Sequence, residues 1–282
     1  MEKNYRAELV GVFGCPVDEN PTIVMQEAAF KASHLNFRYL TLLVKPEDLA
    51  DAFKGLRAMN FAGINLTVPH KIEALKYVDE LSEEVKLIGA TNTVVNVGGR
   101  LHAYNTDGKG FVEGILKSGV NLKNKTIVLL GAGGAARAIA IECALAEVGE
   151  LIIVNRDVER GESLARLVNE KTECRASYMP WQGTMPIPTC DILINATCVG
   201  LLPDAGCPDI CYEDIHEGMI VQDVIPNPAD TLFLQKARMQ GAKTLDGLSM
   251  LVYQGAIGFK LWTGHDAPLD VMKQAVEEEN AR

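Results

Sequence analysis

The sequence lacks the features that would direct it to a membrane or to nucleic acid. None of its 282 residues falls in a run of 18 apolar residues, so no transmembrane helix is expected. Residues 1–5 do not form the apolar segment of a signal peptide, and we expect a cytoplasmic protein. The 27 basic residues are outnumbered by 37 acidic ones, and this excess of negative charge disfavours a phosphate backbone as partner.

The cysteines do not suggest a disulfide framework or a metal centre. Seven is an odd number, and the chain is long enough to build a large core without covalent crosslinks. Only Cys207, Cys211 and His216 lie close together in sequence, and their spacing matches no standard zinc pattern. We therefore expect free thiols and no bound metal.

Apolar segments rich in β-branched residues alternate with helical patterns along the chain, which is typical of βαβ units that build a mostly parallel sheet. The first series predicts strands at Glu8–Phe13, Phe37–Val44 and Gly63–Val68, followed by a hairpin at Thr93–Val97 and Arg100–Tyr104. The second predicts strands at Thr126–Leu130, Leu151–Val154, Asp191–Asn195 and Met219–Asp223. We predict two α/β domains, residues 1–107 with 247–282 and residues 108–246.

A glycine-rich loop follows one predicted strand and opens a predicted helix, Gly134–Ala146. Gly131 permits a tight turn, Gly133 lets the backbone approach a pyrophosphate, and small Ala136 lets helix and strand pack closely. The helix N-terminus then binds the anion. This order of strand, loop and helix predicts a Rossmann-like dinucleotide site. The alternative is a tight turn that binds no cofactor. The loop residues expected to contact the cofactor are Gly131, Ala132, Gly133, Gly134 and Ala135.

The end of the next predicted strand decides between NAD and NADP. An acidic residue there favours the free 2′-hydroxyl of NAD, whereas arginine favours the 2′-phosphate of NADP. Asn155-Arg156-Asp157 contains both signals, and Arg160 adds a second guanidinium group. Because two guanidinium groups outweigh one carboxylate, we predict NADP, with NAD as the alternative.

Motifs in a fixed order resemble those of the shikimate and quinate dehydrogenase family over essentially the whole chain. The motifs are Asn65-Leu-Thr-Val-Pro-His-Lys71, Gly89-Ala-Thr-Asn-Thr93, Asn105-Thr-Asp-Gly108, the glycine loop, Asn195-Ala-Thr197, and Asp246-Gly-Leu-Ser-Met-Leu-Val-Tyr-Gln254. The resemblance implies an N-terminal substrate domain, a C-terminal cofactor domain and an active site in the cleft between them. It also implies reduction of 3-dehydroshikimate to shikimate with NADPH, or action on quinate.

The resemblance further implies roles for individual residues. Lys71 and Asp107 correspond to the catalytic pair. Four residues match positions that hold the substrate hydroxyls, namely Asn65, Thr67, Asn92 and Gln254, and the later motifs add Thr197 and Gly247 to the expected cofactor contacts. Chemistry agrees, because hydride transfer to a ketone leaves an alkoxide that needs a proton donor, and a lysine beside a carboxylate suits that task. Without the family context, Lys71 would be interpreted as a surface lysine and Asp107 as a helix cap.

The segment after the first strand departs from the family. In place of a Ser-x-Ser-Pro sequence that binds the substrate carboxylate stand residues 15–21, Cys-Pro-Val-Asp-Glu-Asn-Pro, which lack both serines. Asn20 still offers an amide donor, whereas Asp18 or Glu19 pointing inward would repel an acid by about 4 kcal/mol at 4 Å and an effective dielectric of 20. Pro226 also replaces the usual tyrosine.

These departures leave alternatives open. The chain is either a shikimate dehydrogenase with compensating donors or a relative that acts on a neutral cyclic polyol or an amine. A third alternative is a dinucleotide-binding regulator without activity. The sequence also leaves open whether the chain is a monomer or a homodimer.

Overall fold

The computed structural model describes residues 5–203 and 205–281, so the expectation for the first four residues lies outside the described part. The chain divides into two compact units, Met1–Thr106 with Val252–Arg282 and Asp107–Leu251. No helix of the described residues is long and apolar enough to span a membrane.

The first unit is built on a mixed sheet whose strand order is β2-β1-β3-β5-β6-β4. Its strands are β1 (Glu8–Gly14), β2 (Phe37–Leu43), β3 (Gly63–Leu66), β4 (Glu80–Leu81), β5 (Thr93–Val97) and β6 (Arg100–Tyr104). β1 runs parallel to β2 and β3, while β5 is antiparallel to β3 and β6. The helices are α1 (Thr22–Ala32), α2 (Leu49–Ala58), α3 (His70–Glu73) and α4 (Glu83–Ile88). Apolar side chains of the sheet, such as Ile64 and Val94, are buried together with Leu49 and Phe53 of α2.

The second unit is a parallel sheet with the strand order β12-β11-β10-β7-β8-β9. Its strands are β7 (Thr126–Leu130), β8 (Glu150–Asn155), β9 (Arg175–Pro180), β10 (Ile192–Asn195), β11 (Ile220–Asp223) and β12 (Lys243–Leu245). The helices are α5 (Asp107–Lys117), α6 (Gly134–Leu145), α7 (Val158–Lys171) and α8 (Leu232–Met239). All described pairings in this sheet are parallel, which places the carboxyl ends of its strands along one edge.

The described chain ends with helices α9 (Leu248–Thr263) and α10 (Leu269–Asn280). Within the first unit α10 packs against α1, and Phe259 stacks on Phe30 with ring centroids 5.3 Å apart. The indole Nε1 of Trp262 donates to the backbone oxygen of Val94 at 3.1 Å. The C-terminal part of the chain therefore contributes to the core of the N-terminal unit.

The α/β fold with mostly parallel sheets is confirmed, but the sequence missed the edge strands β4, β9 and β12. β4 is only two residues long. β9 and β12 form the two edges of the second sheet, and their polar sequences, Arg-Ala-Ser-Tyr-Met-Pro and Lys-Thr-Leu, lack the apolar character of the buried strands. Helix α1 ends at Ala32, and two residues later His34 takes a left-handed φ of 54°.

Candidate active site

A buried polar network occupies the first unit where β3 pairs with β5. Asn65 of β3 is opposite Thr93 of β5, and its Nδ2 donates to Thr93 Oγ1 at 2.9 Å and to the Asn92 backbone oxygen at 3.0 Å. Its Oδ1 accepts a hydrogen bond from the Tyr39 hydroxyl at 2.8 Å. Each polar atom of the Asn65 side chain therefore has a protein partner, and the orientation of the amide is fixed.

Asn92 continues this network toward α9. Its Oδ1 accepts from the Thr106 backbone N–H at 2.8 Å and from the Thr93 hydroxyl at 3.1 Å. Its Nδ2 donates to Thr106 Oγ1 at 2.9 Å and lies 3.4 Å from Oε1 of Gln254. The carbonyl of Gln254 therefore faces Asn92, and this contact helps to set the direction of the Gln254 amide.

The network brings together Asn65, Asn92 and Gln254 with residues that the sequence reasoning did not select, namely Tyr39, Thr93 and Thr106. Burial raises the pKa of Tyr39 well above its ordinary value, which keeps the hydroxyl protonated as a donor. Thr93 belongs to the Gly89-Ala-Thr-Asn-Thr93 motif, but its hydrogen bonds to both Asn65 and Asn92 depend on the pairing of β3 with β5. Tyr39 belongs to no motif, and the sequence offered no signal for its role other than its position on a strand, β2, that pairs with β1.

Thr67 lies on the turn that joins β3 to α3, and Lys71 is the second residue of α3. The Thr67 backbone N–H donates to the Phe13 oxygen at 3.0 Å, and its backbone oxygen accepts from His70. Among residues 5–203 and 205–281, no partner is found for the Thr67 hydroxyl, which leaves it able to bind a ligand. The backbone oxygen of half-buried Lys71 accepts from the Thr91 N–H at 2.8 Å, which ties the lysine to the Asn92 segment.

The turn after β1 carries no group suited to a carboxylate apart from Asn20. Oδ1 of Asn20 accepts from the Thr22 N–H at 3.0 Å and supports the start of α1, while the described chain contains no partner for its Nδ2. Asp18 and Glu19 are both exposed. This turn therefore offers one amide donor and two carboxylates.

In the second unit, Asp107 is the first residue of α5 and is only 5 % exposed. Gly108 lets α5 approach α6 closely, because a Cβ atom there would lie 2.4 Å from the Ala138 backbone oxygen. The position of the Asp107 carboxyl group is therefore set by the packing of α5 against the helix that follows the glycine loop.

The glycine loop has the geometry of a pyrophosphate site. Gly131 adopts a φ of +110°, which favours glycine, and its N–H donates to Val154 at 2.8 Å. Gly133 precedes α6, and a Cβ atom built there would meet no heavy atom within 4 Å, so open space lies against this backbone. The N-cap of α6 makes no side-chain hydrogen bond. The residues present thus fit a dinucleotide at an uncapped helix N-terminus.

The segment after β8 engages the Asp157 carboxylate at the start of α7. Asp157 caps α7, since its Oδ1 accepts from the Arg160 N–H at 3.1 Å, and its Oδ2 lies 3.6 Å from Arg160 Nε. Nδ2 of Asn155 donates to the Asp157 backbone oxygen at 2.9 Å. Arg156 is exposed and has no ion-pair partner in the described chain. The carboxylate is engaged by the helix, which leaves Arg156 to meet an anion.

The carboxyl ends of β10 and β11 are joined by a buried cluster. Asn195 Oδ1 accepts from the Thr197 hydroxyl at 2.7 Å, and Asn195 Nδ2 donates to Asp223 Oδ1 at 3.1 Å. Burial raises the pKa of Asp223 to about 6, although hydrogen bonds from Thr231, Ile225 and Asn195 oppose that rise. Sequence reasoning missed Asp223, which fixes the strand end that carries Thr197.

Gly247 lies against the backbone of the segment after β11. A Cβ atom there would come within 2.4 Å of the Ile225 oxygen, so the position requires glycine for close packing. Among the described residues no group of three or more histidine, cysteine or acidic side chains could hold a metal ion.

Taken with its open glycine loop, the second unit defines a dinucleotide-binding domain, and the polar network of the first unit suits a hydroxylated substrate; together these define an oxidoreductase. Residues 12–94 match the model for the shikimate dehydrogenase substrate binding domain, residues 114–200 that for shikimate / quinate 5-dehydrogenase, and residues 247–277 that for the shikimate 5'-dehydrogenase C-terminal domain. The chain belongs to the shikimate and quinate dehydrogenase family.

Individual relatives extend over nearly the whole chain. A shikimate dehydrogenase (NADP(+)) of Methanocaldococcus jannaschii is 41 % identical and covers 97 % of each chain. The structure of a shikimate dehydrogenase in complex with NADP+ is 39 % identical, with a TM-score of 0.91, and covers 99 % of this chain and 98 % of its own. The ligand-free structure of a 5-ketofructose reductase from Gluconobacter sp. is 44 % identical, with a TM-score of 0.89, and the match covers 98 % of this chain and 100 % of the reductase chain.

Proposed function

We propose that this chain is an NADP(H)-dependent oxidoreductase that interconverts a ketone and a secondary alcohol on a polyhydroxylated substrate. The observation that carries this proposal is that one chain of this family contains both an open glycine loop, in the second unit, and a fixed polar network suited to hydroxyl groups, in the first. Bound NADPH supplies the hydride. The glycine loop and Thr197 hold the cofactor, and Arg156 with Arg160 binds its 2′-phosphate.

The chain's own residues supply the proton and the orientation. Lys71 gives a proton to the carbonyl oxygen as it becomes an alkoxide, and the Asp107 carboxylate is the second member of the catalytic pair. Asn92 and Gln254 hold substrate hydroxyls through amide groups whose direction the network fixes, and the Thr67 hydroxyl, which has no partner among the described residues, adds another contact. Because these groups are held in place before the substrate binds, little ordering is required on binding.

The first candidate reaction is the interconversion of 3-dehydroshikimate and shikimate. It is supported by the shikimate dehydrogenase (NADP(+)) of Methanocaldococcus jannaschii and by the retention of every substrate-hydroxyl residue of the family pattern. Quinate, which shares the ring carboxylate and hydroxyls, is a further candidate of the same type.

The second candidate is a neutral polyhydroxy ketone. It is supported by the turn after β1, where Asp18, Glu19 and Asn20 replace the hydroxyl pair, and by the similarity to the 5-ketofructose reductase. A neutral sugar needs no carboxylate clamp, and the Nδ2 of Asn20 could donate to one of its hydroxyls. Carboxylates at positions 18 and 19 penalise an acid but not a neutral substrate.

Steady-state assays with NADP+ and NADPH separate the two candidates. 3-Dehydroshikimate and shikimate test the first, and 5-ketofructose and fructose test the second. A kcat/KM at least tenfold higher with one pair identifies the substrate class. The double variant Asp18→Asn/Glu19→Gln should lower the KM for shikimate and leave that for the neutral sugar unchanged. Absence of turnover with every ketone, while NADP+ still binds in calorimetry, would contradict the proposal and favour a regulator.

The role of Lys71 has its own test. Lys71→Ala should reduce kcat by about 10²–10⁴-fold and leave the Kd for NADP+ nearly unchanged, because the variant removes only the proton donor. Lys76→Ala is the matched control, since Lys76 is an exposed lysine paired with Glu73 at 2.8 Å. Equal turnover in the two variants would remove Lys71 from the mechanism.

A further inference from the structure

A cavity of about 240 Å³ lies within the second unit, at the carboxyl edge of its sheet. Arg156 follows β8, Trp181 follows β9 and Val199 lies beyond β10, and all three line this cavity. Ligands of parallel α/β sheets bind at this edge. The volume is below the roughly 300–1,000 Å³ of pockets that enclose a whole drug-sized ligand, so the cavity suits one ring system.

Trp181 is held rigidly on the wall of this cavity. Its backbone N–H donates to the Asn155 oxygen at 3.1 Å, and its indole Nε1 donates to the Asp209 oxygen at 3.0 Å. Part of the ring packs against the core of the second unit. Because the indole N–H already has an acceptor, the ring contributes an apolar face to the cavity rather than a donor.

Arg156 gives the same cavity a cation. The guanidinium group is planar, so it can stack on a flat ring or bind a phosphate in a bidentate manner. An aromatic face and a guanidinium group in one small cavity are the groups that recognise a purine base with a phosphate nearby.

We propose that Trp181 is the stacking surface for the adenine of NADP(H), with Arg156 between the base and the 2′-phosphate. This inference rests on the proposed function, since it requires that the second unit binds NADP(H). Besides the glycine loop and the arginines, the inference assigns a cofactor contact to Trp181, which directly follows the edge strand β9 and belongs to no motif.

The chain contains only two tryptophans, so fluorescence can test the proposal directly. Trp262 lies in the first unit, and Trp262→Phe leaves Trp181 as the single reporter. Titration with adenosine 2′,5′-bisphosphate, the adenine half of NADP, should change the Trp181 emission. Nicotinamide mononucleotide, the other half, should not change it. An unchanged emission at a concentration where calorimetry shows the adenine half bound would overturn the inference and leave the proposed function intact.

Variants at position 181 give a second readout. Trp181→Leu should weaken binding of adenosine 2′,5′-bisphosphate by about tenfold, which corresponds to about 1.4 kcal/mol. Trp181→Phe should stay within about threefold of the parent, because it keeps an aromatic face but loses the bond to Asp209. Equal affinities in the leucine variant and the parent would overturn the inference. Failure of the parent itself to bind either NADP+ or the adenine half would overturn both the inference and the proposed cofactor.

Discussion

At the scale of single residues, the hydroxyl of Thr93 is the connection between Asn65 and Asn92. It accepts from Asn65 Nδ2 and donates to Asn92 Oδ1, so it sets the direction of the amides on both sides. Thr93→Val keeps the shape of the side chain and removes the hydroxyl. We expect the substrate KM to rise by about five- to thirtyfold with little change in kcat, because orientation of Asn92 and Gln254 is lost.

Two further variants separate this positioning role from a general loss of stability. Thr93→Ser restores the hydroxyl and should restore the KM. Thr91→Val removes another buried threonine hydroxyl, which donates to backbone oxygens, that of Tyr104 at 2.7 Å and that of Thr93 at 3.2 Å, and not to the Asn65 or Asn92 amide. It should lower the free energy of unfolding by a similar amount, about 1–3 kcal/mol, without raising the KM. A KM that rises equally in both valine variants would speak against the network.

The sequence could identify site residues only where a motif or a known chemical type marked them. Asn65, Asn92 and Gln254 were named from the family pattern, and the structure places them in one network. Tyr39 and Thr93 act through pairing across strands. They lie 26 and 28 positions from Asn65 in sequence and become its hydrogen-bond partners only after the sheet forms. Asp223 looked like an ordinary strand end, because its burial depends on Thr231 and Asn195 meeting there.

At the scale of the element, the strand, loop and helix from β7 to α6 use their glycines in different ways. Gly131 needs glycine because its φ is +110° and a Cβ atom would lie 2.9 Å from the Ala196 oxygen. Gly133 has ordinary φ and open space. We therefore expect Gly131→Ala to lower the free energy of unfolding by about 1–3 kcal/mol.

Gly133→Ala should instead leave stability within about 0.5 kcal/mol of the parent, since its methyl group meets no protein atom. The variant should bind NADP+ about tenfold or more weakly, because the methyl group occupies space that the pyrophosphate needs. Thermal unfolding and calorimetry on the two variants measure both effects. Loss of stability in Gly133→Ala, with NADP+ affinity retained, would mean that the space beside Gly133 is not where the cofactor lies.

Helix α7 gives a second prediction at this scale, because its N-cap carries a negative charge near the proposed 2′-phosphate. Asp157→Ser keeps an oxygen that can accept from the Arg160 N–H and removes the charge. NADP+ should bind about fivefold more tightly, as expected for one charge removed at about 4 Å in water, and NAD+ binding should change little. Calorimetry with both cofactors measures the ratio.

The control for this variant is Asp157→Ala, which removes the charge and the cap together. It should cost about 1 kcal/mol of stability that the serine variant keeps. If neither variant changes the ratio of NADP+ to NAD+ affinity, the 2′-phosphate does not bind beside α7.

At the scale of the whole molecule, the central strands of the sheets were more predictable from the sequence than the edge strands. β7, β8, β10 and β11 are short apolar runs, which are typical of strands buried on both faces of a parallel sheet. They form the centre of the second unit. The edge strands β9 and β12 carry few apolar residues, so only pairing with a neighbour defines them. The substrate is the least predictable property for a similar reason, because our proposal makes it depend on the few residues at positions 18–20 rather than on the pattern that builds the fold.

The stability of the second unit should depend on pH through Asp223. Its side chain is 0 % exposed, and burial raises its pKa to about 6, against about 3.9 in an unfolded chain. Since the native state holds this proton more tightly than the unfolded state, protonation of Asp223 stabilises the fold. This contribution is fully present below about pH 4 and is lost as the pH rises through about 6.

Urea unfolding of the parent and of Asp223→Asn measures this contribution as a difference. Relative to the asparagine variant, which does not titrate, the parent should gain about 2 kcal/mol between pH 7 and pH 4.5. Trp181 fluorescence in the Trp262→Phe background follows the unfolding of the unit that contains Asp223. A difference between parent and variant that stays constant over this pH range would show that the hydrogen bonds from Thr231 and Asn195 outweigh burial and keep the carboxylate ionised.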